Sequence, residues 1–153
     1  MTAEYDMLRQ IIVCPGSSDH DIAEMQGDVI LSVESQAILD GMVSRGEVKV
    51  VDDVIGFRTR GRPIRGKRYY PTAEGTSRCL FEYILQHPGC SELELEREFA
   101  PCGGVPNWLE TDFQRLLSEN RIRFERIGME LNARSLVIVR LFEAVPQTSK
   151  VIA

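Results

Sequence analysis

From Phe57 to Tyr70 the chain carries Arg58, Arg60, Arg62, Arg65, Lys67 and Arg68, six basic residues within eleven positions and no acidic one. Lysine and arginine at that density neutralise phosphates and release their counterions, the main source of nucleic-acid affinity. The whole chain is acidic, with a net charge of −5 and a pI near 5.1, so any such role must come from a local patch. The candidate contact residues are Arg58, Arg60, Gly61, Arg62, Pro63, Arg65, Lys67 and Arg68. Of Tyr69 and Tyr70, strand alternation sends one to the core and frees the other. A solvated hairpin tip, with Gly and Pro shaping the turn and Arg keeping it in water, is the alternative for the same residues.

Other chemistry finds little footing. His20 and His87 are the only histidines, and neither sits in a nucleophile or metalloprotease motif; no phosphate-cradling glycine loop occurs. The cysteines at 14, 79, 90 and 102 form no CxxC pair, and His87, Cys90, Cys102 and Cys79 match no zinc spacing. The expectation is a non-enzyme without metal or cofactor, with four free thiols. No apolar run approaches the roughly 20 residues of a membrane span, and residues 1–6 lack a signal-peptide pattern. A cytoplasmic protein is expected, nucleoid-associated if it binds DNA, with no membrane partner.

At 153 residues and 43% hydrophobic, the chain fits one domain or two very small ones. A weak internal repeat favours two. Residues 11–19 align with 84–92 at an offset of 73, and residues 39–50 with 113–124 at an offset of 74, with apolar positions coinciding. Each half opens with an amphipathic helix, carrying Tyr5, Leu8, Ile11 and Ile12 or Leu80, Phe81, Ile84 and Leu85, and stops it at Pro-Gly. Ser18 and Ser91, with Asp21 and Glu94 three places on, then start a short second helix. A third begins at Ser32, facing Val33, Ala37 and Met42 inward, or at Pro106 or Asn107, facing Leu109, Phe113, Leu116 and Leu117 inward. Gly46 and Asn120 suit left-handed caps. The β-prone runs 48–51 and 67–72, flanking a Gly- and Arg-rich loop, predict a hairpin, and 122–124 with 136–142 predict its counterpart.

Three helices followed by a hairpin, twice over, resembles the winged helix-turn-helix proteins. Ser18–Met25 is similar to the second helix of many bacterial regulators, with Ile22-Ala23 packing under the next helix. The resemblance implies an α+β fold of two tandem winged-helix domains, each three helices plus a small hairpin, over residues 1–75 and 76–145, followed by a flexible tail at 146–153. A single orthogonal helical bundle with an appended sheet would give similar signals. Arg60-Gly61-Arg62-Pro63 resembles the core of an AT-hook, whose extended backbone lies in the minor groove of A·T-rich DNA; Thr59 stands where that family usually has proline. Narrow A-tract grooves attract inserted arginine.

The third helices agree less well with DNA, because they are acidic: Glu34 and Asp40 in one, Glu110 and Asp112 in the other. Ser35 and Gln36 are the residues there able to read base edges. In the second half Arg121, Arg123, Arg126 and Arg134 could add a phosphate contact, offset by Glu119, Glu125 and Glu130; Trp108 reads as a core or interface anchor, and Glu92–Glu98 as a solvated helix face. The leading expectation is a DNA-binding transcriptional regulator whose basic first wing grips double-stranded, A·T-rich DNA, the second domain serving a further contact, a homodimer or a protein partner. The alternative is an acidic tandem winged-helix protein-interaction module, of the chromosome-segregation or regulatory-complex kind, without sequence-specific DNA binding.

Overall fold

The computed structural model describes residues 2–132 and 135–146. It is an α+β protein that divides into two compact units, Met1–Cys79 and Leu80–Ala153. The division falls within a helix, a few residues beyond the boundary expected at 75/76. Residues 147–153, the greater part of the expected tail, lie outside the described residues.

In the first unit, α1 (Ala3–Val13) begins where the Thr2 side chain accepts from the Tyr5 N–H, and buries Tyr5, Leu8, Ile11 and Ile12 as their spacing predicts. Gly16, at φ 89°, takes a left-handed conformation after Pro15, and a two-residue strand β1 (Ser17–Ser18) follows. A capping box then starts α2 (Asp19–Met25): Ser18 Oγ accepts from the Asp21 N–H at 3.2 Å, and the Asp21 carboxylate accepts from the Ser18 N–H at 2.9 Å. That backbone bond is the main reason the Asp21 carboxyl is held below its ordinary range. Ser32 caps α3 (Val33–Ser44), which closes on Gly46 at φ 74°.

The inward face of α3 differs from expectation. Leu39 and Met42 are buried together with Ser35, whereas Val33 is 85% exposed and Ala37 is also in solvent. Val33, Ala37, Ile38, Leu39, Met42 and Val43 surround the helix, so periodicity alone could not choose a face. The hairpin is also longer than expected. Strands β2 (Val48–Phe57) and β3 (Pro63–Pro71) pair antiparallel, with β1 on the other edge of β3, giving the order β1-β3-β2. The basic "loop" is mostly strand: only residues 58–62 connect the two, and Arg65, Lys67 and Arg68 lie within β3. Lys67 stands in register opposite Asp52 without an ion pair, and Arg68 reaches Asp53 diagonally across the strands at 3.4 Å, so the charged stretch continues the ladder with opposite signs facing each other.

The second unit repeats the element order in α4 (Ala73–Gln86), β4 (Cys90–Ser91), α5 (Glu92–Phe99), α6 (Leu109–Ser118), β5 (Ile122–Asn132) and β6 (Ser135–Ala144), with strand order β4-β6-β5. The repeat extends to single hydrogen bonds. Gly16 N–H donates to Tyr69 O and Gly89 N–H to Phe142 O, both at an offset of 73; Glu47 N–H donates to Met42 O and Arg121 N–H to Leu116 O, at an offset of 74. Its core holds Leu95, Leu109, Leu116 and the stacked rings of Phe113 and Phe142, 4.3 Å apart. Two expectations shift. Leu85 is half exposed and Tyr83 is buried in its stead, stacked on His87 at 4.0 Å. Helix α6 starts at Leu109, with Trp108 in the cap position making no side-chain cap bond, so neither Pro106 nor Asn107 opens it. Pro106 instead forms a turn, its carbonyl accepting from the Leu109 N–H.

None of the four cysteines is in a disulfide, Cys79 and Cys90 being buried, Cys14 and Cys102 exposed; burial pushes the Cys90 thiol up to about 12. Among the described residues no helix is long and apolar enough to cross a membrane.

An ion network ties the first unit together around Glu47. The Glu47 carboxylate, 7% exposed, meets Arg45 and Arg78, and Glu4 joins both arginines, with Arg78 at 3.1 Å. Hydrogen bonding from Arg78 is the largest cause of the lowered Glu4 pKa. A carboxylate depressed on folding stabilises above the ordinary carboxylate range, about 4–4.5, and loses that contribution as pH falls through its folded value. Urea unfolding at pH 7, 4 and 3 should therefore show stability falling with acid, and Glu4→Gln should flatten part of the slope. Arg78→Ala, which leaves the buried Glu47 with one partner, should cost about 2 kcal/mol at pH 7.

Candidate nucleic-acid interface

Strands β2 and β3 carry residues 58–63 out as an exposed tip. Its geometry is set by two backbone bonds, Arg58 N–H to Arg62 O at 2.8 Å and Gly61 N–H to Arg58 O at 2.9 Å. The turn between them places Arg60 at φ 100° and Gly61 at φ 73°. Gly61 meets this demand freely, with open space where a Cβ would stand. Arg60 does not: a branched Cα in the left-handed region costs on the order of 1 kcal/mol. The Arg60-Gly61-Arg62-Pro63 core is thus bent over a tip, unlike the extended strip the AT-hook resemblance implies.

Alternation along β3 separates the remaining cations. Arg65 and Lys67 share a face with Tyr69, opposite Val54, Asp52 and Val50; Ile64, Gly66, Arg68 and Tyr70 share the other. Tyr69 is 2% exposed, and burial together with a hydrogen bond to Asp19 raises its phenol pKa. Arg65 and Lys67 are exposed on the same face nearer the tip. At Gly66 a Cβ would lie 2.5 Å from Cδ1 of Ile55, the residue at the β-bulge in β2, so the glycine leaves room for that side chain. Arg68 is a structural residue: it donates to Gly16 O at 2.8 Å and Val54 O at 3.3 Å, and pairs with Asp53. Tyr70 is the freer tyrosine, its ring lying close over Gly16.

Both candidates on α3 already have hydrogen-bond partners within the protein. Ser35 is buried, its hydroxyl donating to Gln26 Oε1 at 2.6 Å and accepting from Ser32. The Gln36 amide donates to Asp40 at 2.9 Å. From Gln10 to Ser44 the chain holds no lysine or arginine and six carboxylates, so α2 and α3 present an acidic surface.

The second hairpin spends its cations internally. Arg123 pairs with Glu143 at 2.6 Å; Arg121 lies over the Phe81 ring at 4.1 Å and 3.7 Å from Glu119; Arg126 lies over Phe124. Arg140, the counterpart of Lys67 at offset 73, is gripped between Glu92 at 3.0 Å and Glu110 at 2.7 Å, and holds the Glu110 carboxyl below its ordinary range. Arg134 lies outside the described residues. Trp108 packs edge-on against Phe99, with ring centroids 5.3 Å apart. By contrast Arg58, Arg60, Arg62, Arg65 and Lys67 make no ion pair among the described residues. Two features at this hairpin escaped sequence reading: Phe57, strongly exposed beside the tip, and Lys49, exposed on β2 and paired in register with Tyr70. No protein-family model matches the chain, nor does any curated protein or solved structure.

Proposed function

We propose that the chain is a tandem winged-helix protein that binds duplex DNA through the β2–β3 tip, its first wing entering an A·T-rich minor groove, and that it acts as a transcriptional regulator. The supporting observation is the set of five exposed, unpaired cations on one hairpin of an otherwise acidic protein, one of them held at φ 100°. Arginine in a narrow groove gains from its concentrated negative potential, which is the source of the A·T preference. The acidic α3 takes no part in base reading, so specificity rests on groove shape. The second unit, whose described hairpin arginines are held by carboxylates or aromatic rings, is left for a protein partner or a second copy.

Fluorescence-anisotropy titration of A·T-rich and G·C-rich 20-base-pair duplexes at 50 and 200 mM salt tests this reading. Neutralising four or five phosphates should weaken binding roughly 100- to 500-fold across that range, with the A·T-rich duplex bound more tightly at both. The acidity of α2 and α3 favours a second reading, a protein-interaction module without sequence-specific DNA contact. Absence of duplex binding at 50 mM salt would select it.

A further inference from the structure

The turn from α2 to α3 exposes a run of large apolar side chains. Met25, Val29, Ile30 and Val33 are 68%, 81%, 78% and 85% exposed, within nine residues. Such a cluster goes beyond the scattered apolar residues of an ordinary surface and marks a place of interaction. Beside it α1, α2 and α3 enclose an open groove of about 570 Å³, within the roughly 300–1,000 Å³ of binding clefts. Met7, Met25 and Ile38 supply its apolar lining, and Asp6 and Glu34 its charge. Arg9, the one cation on the lining, is already engaged by a partner. Glu24 at the end of α2 and Asp28 in the turn add carboxylates, and no lysine or arginine lies between Arg9 and Arg45.

We infer that this groove docks a basic amphipathic helix of a partner protein. Apolar anchors on the partner would cover Met25, Val29, Ile30 and Val33, and lysines or arginines along its flanks would meet Asp6, Asp28 and Glu34. Charge selects this occupant over the others: a nucleic acid would bring phosphates against carboxylates, and an acidic or neutral helix would leave them uncompensated. The surface is distinct from the β2–β3 tip, so docking stands apart from duplex binding.

A 14-residue Leu/Lys amphipathic peptide and its Leu/Glu counterpart, each fluorescently labelled, serve as probes for the full chain. The Leu/Lys peptide should bind saturably and the Leu/Glu peptide at least 10-fold more weakly. Val29→Ser/Ile30→Ser, which alters only exposed side chains, should reduce Leu/Lys binding at least 10-fold with an unchanged thermal midpoint, and Glu34→Lys should reduce it several-fold. Arg60→Gly/Arg62→Ala should leave it unchanged, and the two groove variants should leave duplex affinity no lower. Absence of saturable Leu/Lys binding, equal binding of the two peptides, or undiminished binding by Val29→Ser/Ile30→Ser would overturn the inference. So would a concentration-dependent dimer in sedimentation that Val29→Ser/Ile30→Ser abolishes, since the occupant would then be a second copy of the chain.

Discussion

Replacing Arg60 with Gly and Arg62 with Ala should cut affinity for an A·T-rich duplex about 10- to 100-fold at 50 mM salt while leaving the protein as stable as before, or slightly more so. Two phosphate-facing cations are lost, so the slope of log affinity against log salt should fall by roughly 2. The A·T preference should shrink, because inserted arginine is the group that senses groove width. Stability moves the other way. Glycine relieves the φ 100° conformation at Arg60, and part of the gain is offset by the freedom glycine adds to the unfolded chain, leaving about 0.5 kcal/mol. A tip that served only solubility would show the stability gain without the affinity loss. Arg65→Ala/Lys67→Ala offers the contrast: these residues lie on the strand behind the tip, and their loss should weaken both duplexes evenly. Unchanged affinity in Arg60→Gly/Arg62→Ala, under conditions where the parent protein binds, would rule out the tip as the contact.

Gly75→Ala should destabilise the protein by about 2–3 kcal/mol, against the usual direction for this substitution inside a helix. Helix propensity alone favours alanine by about 1 kcal/mol. At Gly75, however, a Cβ would stand 2.1 Å from the carbonyl oxygen of Glu47. That oxygen cannot retreat easily: it accepts from the Thr72 N–H at 3.1 Å, and the Glu47 side chain is fixed in the ion network with Arg45 and Arg78. Overpacking against anchored backbone therefore exceeds the propensity gain. Gly41→Ala in α3 is the control, since its Cβ would meet only the end of the Arg45 side chain, at 3.2 Å, a contact relieved by a shift of a few tenths of an ångström that the ion network tolerates. It should be stabilising by about 0.5 kcal/mol. Urea unfolding of both variants checks the pair, and a Gly75→Ala protein at least as stable as the parent would contradict the close-contact argument.

The local signals in the sequence were strong where chemistry is local. Ser18 with Asp21, the Ser32 cap, Gly46 and Asn120 at helix ends, and the apolar spacing of α1 each depend on neighbours within a turn or two, so they could be read residue by residue. The internal repeat was legible for the same reason: two halves of like pattern form like elements, down to the bonds of Gly16 and Gly89. The concentration of cations between 58 and 68 was likewise a property of order and composition alone.

Which of those side chains remain free was decided only by tertiary structure. Arg68 and Lys67 are adjacent in sequence, yet strand alternation turns Arg68 onto Gly16, Val54 and Asp53 and leaves Lys67 exposed. Ser35 and Gln36 had the right chemistry for base edges, but Ser35 is buried against Gln26 and Gln36 is bonded to Asp40. Helix α3, apolar around much of its circumference, carried no pattern that fixed its rotation, and the packing of Leu39 and Met42 left Val33 in water. Composition and short-range spacing determine which elements form and where charge is concentrated. Partners brought together across tens of residues determine which groups are consumed in holding the fold and which face outward.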